Sequence, residues 1–204
     1  MFCPRSIVLA IFVLTILGTI NNSLSGKVVP LTKLVTCKEY DSTATPVCQH
    51  FFPINIFKNY VSSEYKLYLK FYVMARNDAN IVLSNDINTN NLSTQYITVI
   101  GGYNNEYSWI RNSTGATVGL DSHLKNTVSA IWATPIIVRQ RFSGELEVVI
   151  PDVADPLLKA DARDLNVKSL CLYAWKTESR WFYNCDEEED STLDTDETES
   201  DSEM

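Results

Sequence analysis

Apolar and polar residues alternate from Tyr65 to Val73: Tyr65, Leu67, Leu69, Phe71 and Val73 share one face, and Lys66, Tyr68, Lys70 and Tyr72 the other. A period of two predicts a half-buried strand. The turn cluster Arg76 to Asn80 leads into a short strand over Ile81 to Leu83. After a polar run, Tyr96 to Arg111 reads as strand, tight turn, strand: Tyr96 to Ile100 and Tyr107 to Arg111 are β-branched and aromatic, separated by Gly101, Gly102, Asn104 and Asn105. This is the central hairpin of the expected fold.

A weaker strand follows over Ala116 to Leu120. Ile136 to Phe142 and Leu146 to Ile150 form a second hairpin about Ser143 and Gly144. Asp155 to Leu165 is the one candidate helix. Val167 to Trp175 and Trp181 to Cys185 close the series, and a hairpin turning near Glu178 sets positions 171 and 185 opposite each other. Eight to nine short strands punctuated by turn residues predict an all-β fold, an antiparallel β-sandwich of jelly-roll-like form.

The ends of the chain differ in composition. One positive charge, Arg5, precedes the apolar run Ile7 to Leu17, too short to span a bilayer, and Ser23 and Ser25 lie at minus three and minus one from a cleavage before Gly26. Residues 1–25 are read as a signal peptide, with cleavage after Gly18 or Thr19 as an alternative. Residues 26–64 are an N-terminal lead-in with a stapled loop, 65–185 the β-sandwich domain, and 186–204 an acidic tail. The tail holds eleven acidic residues and no basic one; removing its charge from the net −8 leaves the rest at +3. Its composition predicts disorder, and Ser191, Thr198 and Ser200 each have an acidic residue three positions on.

These features predict a secreted, extracellular protein with no membrane span after signal cleavage. Cys37, Cys48, Cys171 and Cys185 are an even set suited to an oxidising compartment. The expected pairing is the local one, Cys37 with Cys48 and Cys171 with Cys185, since each then closes a short loop. The alternative joins Cys37 to Cys185 and ties the ends of the domain together. The Asn-x-Ser/Thr sequons at Asn91 and Asn112 fall in polar loops and are candidate glycosylation sites. No basic stripe points to nucleic acid. No Cys-x-x-Cys spacing occurs, His50 and His123 are far apart, and no metal or cofactor is expected.

The span from Tyr65 to Cys185 resembles the farnesoic acid O-methyltransferase-like domain, a family found in arthropod proteins and as an extracellular module of larger animal proteins. The strongest likeness is Tyr96-Ile-Thr-Val-Ile-Gly-Gly-Tyr-Asn-Asn-Glu-Tyr-Ser-Trp-Ile-Arg111, similar to the family's Ile-Gly-Gly-Trp-x-Asn-x-x-Ser-x-Ile-Arg signature, with Tyr103 in place of the usual Trp. Phe71 to Ser84, the Ser143-Gly144 hairpin and Trp181-Phe182 add to it. The resemblance implies methyl transfer from S-adenosylmethionine to farnesoic acid. The residues themselves show only seven glycines, no alternation of strand and helix, and one Gly-Gly pair placed between two strands.

Other catalytic patterns are as thin. His123 with Asp121 lacks a nucleophile elbow, and Glu145 with Glu147, two apart on a strand and so on one face, is explained more simply by a solvated face than as a carboxylate pair. The more informative set is Asn104, Asn105, Ser108, Trp109 and Arg111. Trp109 and Arg111 share a strand face, and an aromatic plane beside a guanidinium and amides suits a polar or sugar-like ligand. The structural reading of the same residues puts Trp109 in the core, pairs Arg111 with a carboxylate such as Asp78, and leaves the asparagines to the turn; burial of Trp109 discriminates. The expected function is an extracellular binding module for a glycan, lipid or protein partner. The alternatives are the methyltransferase and a non-catalytic component of a secreted fluid.

Overall fold

A computed structural model describes residues 29–87 and 95–186. The signal-peptide reading, Asn91 and residues 187–204 of the tail lie outside them. The fold is all-β. Twelve antiparallel strands form one curled sheet in the order β1-β12-β3-β8-β9-β10-β7-β6-β5-β4-β11-β2. They are β1 Lys38–Ser42, β2 Phe52–Pro53, β3 Tyr65–Ala75, β4 Ala79–Ser84, β5 Gln95–Gly101, β6 Tyr107–Asn112, β7 Thr117–Ser122, β8 Thr134–Arg141, β9 Glu145–Val149, β10 Leu158–Asp161, β11 Ser169–Ala174 and β12 Ser179–Tyr183. The two halves of the sheet are joined by a single pair, Lys159 with Leu120, between β10 and β7. They enclose one apolar core that takes Leu69, Phe71 and Val73 from β3, Ile81 and Leu83 from β4, Ile110, Ile136, Val148, Leu172 and Trp181.

The strands follow from the alternation. β3 is buried at every odd position from 65 to 75 and half-buried between. The second hairpin turns at Gly144, whose φ of 97° favours glycine, and its N–H donates to the Arg141 carbonyl at 3.0 Å.

Three expectations are corrected. Asp155 to Leu165 is not a helix: it contains β10, paired with β9. Leu158, Ala160 and Ala162 are buried, with Lys159 half-buried and Asp161 exposed between them, a period of two that settles a strand. The segment after Cys37, expected as loop, is the edge strand β1, polar because only its inner neighbour β12 covers it. Third, β11 and β12 do not form a hairpin along their length. The chain crosses between the halves at Trp175 to Glu178, so that β11 pairs with β4 and β2, and β12 with β1 and β3.

That crossing decides the disulfides. Cys171 and Cys185 are in different halves of the sheet, so the expected local pairing, Cys37 with Cys48 and Cys171 with Cys185, is overturned, and the bonds are Cys37–Cys185 and Cys48–Cys171. β1 and β12 pair with Lys38 opposite Tyr183, which brings the residues just outside them together. The sequence separations are 148 and 123 residues, so each bond restricts most of the unfolded domain.

Peptide mapping without reduction is expected to recover Cys37 joined to Cys185 and Cys48 joined to Cys171. Replacing Cys48 and Cys171 together by serine is expected to cost about 2–5 kcal/mol in chemical denaturation. A Cys37–Cys48 peptide would contradict the strand order.

Candidate functional site

The outer face of β11, β4, β5 and β6 is organised by register. Tyr173 is opposite Asn80, Asn80 opposite Val99, and Val99 opposite Trp109. One step along, Cys171, Val82, Ile97 and Arg111 form a second row. Residues two apart share a face, so these eight side chains make a continuous floor on the side of the sheet away from the core.

Two segments rise beside this floor. After β1 the chain bridges Thr45 to Trp175, and the Trp175-Lys176 turn is held there by the Lys176 N–H on the Thr45 carbonyl at 2.9 Å. Pro46 to Phe51 then passes over β11, fastened by the Cys48–Cys171 bond, before Phe52 and Pro53 rejoin the sheet. The other wall is the β5–β6 turn. Gly101, Tyr103, Asn104 and Asn105 all have left-handed φ, between 50° and 68°. Between the walls lies a cleft of about 810 Å³, lined from the floor by Val82, Ile97, Val99, Trp109 and Arg111 and from the rims by Val47, Phe51, Tyr103, Asn104 and Trp175.

Trp109 is 6% exposed, yet it is not part of the core between the halves. It is the buried end of the cleft floor. Its indole lies against the backbone of Gly102: a Cβ there would meet the ring at 2.3 Å. Gly102 is required by this close approach, and Gly101 by its φ of 66°. The Trp109 Nε1 is buried without a hydrogen-bond partner among the described residues. Tyr107 stacks on Trp109 at 5.2 Å, Tyr103 is 5.2 Å from it, and His123 is 4.7 Å from Tyr107, so four rings form a shelf from the turn outward. The Arg111 guanidinium lies 5.2 Å from the Trp109 ring centre, a cation–π arrangement.

The five sequence-selected residues divide. Asn104, Trp109 and Arg111 line the cleft. Asn105 is buried in the turn, where its side chain accepts from the Thr127 hydroxyl and the Val128 N–H and donates to the Val128 carbonyl. Ser108 is fully buried and accepts the Gly101 N–H at 3.0 Å. These two hold the turn rather than meet a ligand. Arg111 has no carboxylate partner among the described residues.

Asp78, the partner suggested for Arg111, accepts the Tyr103 N–H instead, and its carboxyl is pushed above the usual carboxylate range, chiefly by burial, with that N–H acting in opposition. Pro46, Cys48, Asp78, Asn80, Gln95 and Tyr173 complete the lining, and sequence reasoning missed these, like Tyr103 and Trp175, as cleft residues. For Asn80 and Tyr173 the signal was an alternation of strand faces, but which strands are neighbours was not visible.

The other patterns have structural roles. The Asp121 carboxylate takes the Tyr107 hydroxyl, a bond that also raises the Tyr107 pKa, and His123 packs on the same ring. Glu147 is buried against Arg139 at 2.6 Å, and Glu145 pairs with Lys159 at 2.9 Å. The Lys159 ammonium is the main reason the Glu145 carboxyl sits below its ordinary range. A glycosidase-like pair needs carboxyls free to meet a substrate, and both of these are already taken by cations, Glu147 by Arg139 and Glu145 by Lys159. Asn112 caps its turn by accepting the N–H groups of Thr114 and Ala116 at 3.1 Å. Among the described residues no group of three or more His, Cys, Asp or Glu could hold a metal, and no helix is long and apolar enough to cross a membrane.

Residues 48–187 match the profile of the family described as farnesoic acid O-methyl transferase, and the chain belongs to that family. Curated proteins include no match. Among solved structures, sheep galectin-11 in complex with glycerol is similar at a TM-score of 0.40 and 11% identity, with 71% of this chain and 98% of that chain covered.

The methyl donor implied by the family description does not fit the glycine turn. A glycine-rich cofactor loop keeps its backbone open for the ligand. Here the space beside Gly102 is filled by Trp109, and that beside Gly101 by Asn105, Thr127 and Val128.

Asp78 carries its charge at a cost to the fold. A raised folded-state pKa gives stability that is full below the unfolded carboxylate pKa and lost as pH rises through the folded one. Asp78→Asn is therefore expected to raise the melting temperature at pH 7, with the gain shrinking as pH falls through the raised folded-state pKa and gone below the unfolded carboxylate value of about 4. Thermal melts of both proteins across that range check this; an equal or lower melting temperature for the variant at pH 7 would contradict it.

Proposed function

We propose that this chain is an exported binding module that takes a saccharide on the outer face of β11, β4, β5 and β6. The carrying observation is a cleft of about 810 Å³ with exposed aromatic rings at opposite rims, Tyr103 and Trp175, and with Arg111, Asp78, Asn104 and Gln95 within it. A sugar ring has apolar C–H faces that stack on aromatic planes and hydroxyls around its edge that need polar partners. Arg111 supplies only donors and the Asp78 carboxylate accepts, so the cleft offers both kinds of partner that sugar hydroxyls use.

Export rests on the apolar leader and on two disulfides, which persist in oxidising compartments. Glycans at Asn91 and Asn112 belong to the same reading. So do the domain limits, with 65–185 as the sandwich and 26–64 supplying β1 and the cleft wall.

Family membership favours a second reading, methyl transfer from S-adenosylmethionine to an acid. It would need a cofactor seat away from the glycine turn.

A glycan array followed by calorimetry tests the first reading, with S-adenosylmethionine titrated in parallel. A saccharide is expected to bind, and Arg111→Ala to weaken it by about ten-fold to a hundred-fold, the loss of hydrogen bonds from a charged donor, with an unchanged melting temperature. Retained affinity in the folded variant would remove Arg111 from the site. Heat from S-adenosylmethionine with formation of a methyl ester would favour the second reading.

A further inference from the structure

A second cleft lies on the other half of the sheet. The outward positions of β3 that alternate with the core are Lys66, Tyr68, Lys70 and Tyr72. Three of them, Tyr68, Lys70 and Tyr72, with Tyr60, Lys33, Pro135, Ile137 and the segment Asn184 to Asp186, line a cleft of about 260 Å³. The lysines in it, Lys33 and Lys70, and Lys58 beside it are gathered by aromatic rings. Lys70 Nζ is 4.3 Å and Lys58 Nζ 5.0 Å from the centre of the Tyr60 ring, and Lys33 Nζ is 5.8 Å from that of Tyr72.

We propose that the acidic segment 187–204 of this same chain docks on this lysine–tyrosine cleft. The argument is one of place and charge. Asp186 itself lines the cleft, and Cys185, bonded to Cys37, fixes where the segment begins. The next four residues are Glu187, Glu188, Glu189 and Asp190, and six more acids follow with no basic residue. At about 3.5 Å per extended residue the first four reach across the cleft without a spacer. The attachment makes the encounter intramolecular, at an effective concentration on the order of millimolar.

Three lysines around tyrosine faces offer a carboxylate-rich strand both counter-charge and an apolar bed for its methylenes. Each exposed ion pair contributes little, so the contact depends on the number of charges and weakens with salt. The bound tail covers this face and leaves the cleft of Trp109 and Arg111, on the other half of the sheet, open.

The test uses the full disulfide-bonded chain. Amide chemical shifts are compared between the wild type and a variant with Glu187→Gln, Glu188→Gln, Glu189→Gln and Asp190→Asn, at about 0.02 M and about 1 M salt, where the screening length falls to about 3 Å. At low salt, differences are expected at Tyr60, Tyr68, Lys70 and Tyr72, shrinking several-fold at high salt. Lys33→Gln combined with Lys70→Gln is expected to shift the tail amides themselves. Differences confined to residues 184–186, or insensitive to salt, would overturn the proposal. Differences that vanish on dilution would assign the cleft to the tail of a second copy and overturn intramolecular docking.

Discussion

Strand register across β11, β4, β5 and β6 is the constraint on which the candidate site depends. It sets Tyr173, Asn80, Val99 and Trp109 in one row and Cys171, Val82, Ile97 and Arg111 in the next. A slip of one residue in any of these pairings would exchange its inner and outer faces. The inner face is packed with Ile81, Leu83, Ile110 and Leu172, none of them more than 1% exposed, so that exchange would place a full set of aliphatic side chains in water. The core thereby holds the outer rows in place. Each wall is attached to them at one end: the Pro46–Phe51 segment through the sulfur of Cys171, and the Gly101–Asn105 turn through the indole of Trp109 against Gly102.

The walls are chemically different, and this bears on ligand binding. The stapled segment is covalently fixed to β11. The opposite turn is held by polar groups: Asn105 ties it to Thr127 and Val128, and Ser108 receives the Gly101 N–H. Five successive left-handed or glycine positions, 101 to 105, carry Tyr103 outward, where it is 64% exposed while still packed on Trp109. Holding non-glycine residues in that conformation costs free energy, as does burying part of the charge of Asp78. Both costs fall on the lining of one cleft, a pattern that accompanies functional surfaces.

The hairpins were legible because their evidence is local. Alternation marked β3, and Ser143-Gly144 and the Gly-Gly-x-Asn-Asn run marked the turns. Trp109 and Arg111 were placed on one face by their spacing alone. What was hidden is non-local. In the segment Asp155 to Leu165, the one candidate helix, Leu158, Ala160 and Ala162 carry a strand period. The hairpin expected between Leu170 and Cys185 followed from proximity in sequence, and local pairing of the cysteines followed from that. Only the crossing of the chain between the halves at Trp175 to Glu178 shows why Cys171 is out of reach of Cys185. The neighbours of Arg111 in the cleft come from β4, β11 and the segment before β2, and a strand order of this kind leaves no trace in local periodicity. Trp109 fell between the two readings offered for it: it is as buried as a core residue, yet it belongs to the cleft.

The indole N–H resonances report most directly on the claim that this cleft is the binding surface. The four tryptophans sample four environments: Trp109 and Trp175 line the cleft, Trp181 is fully buried with its Nε1 donating to the Ser179 hydroxyl at 2.9 Å, and Trp132 is half exposed outside it. With each resonance assigned by single substitution, titration of the saccharide selected on the array should move the signals of Trp109 and Trp175 and leave those of Trp132 and Trp181 in place. Movement of Trp132 with no change at Trp109 and Trp175 would put the binding surface elsewhere and contradict the account.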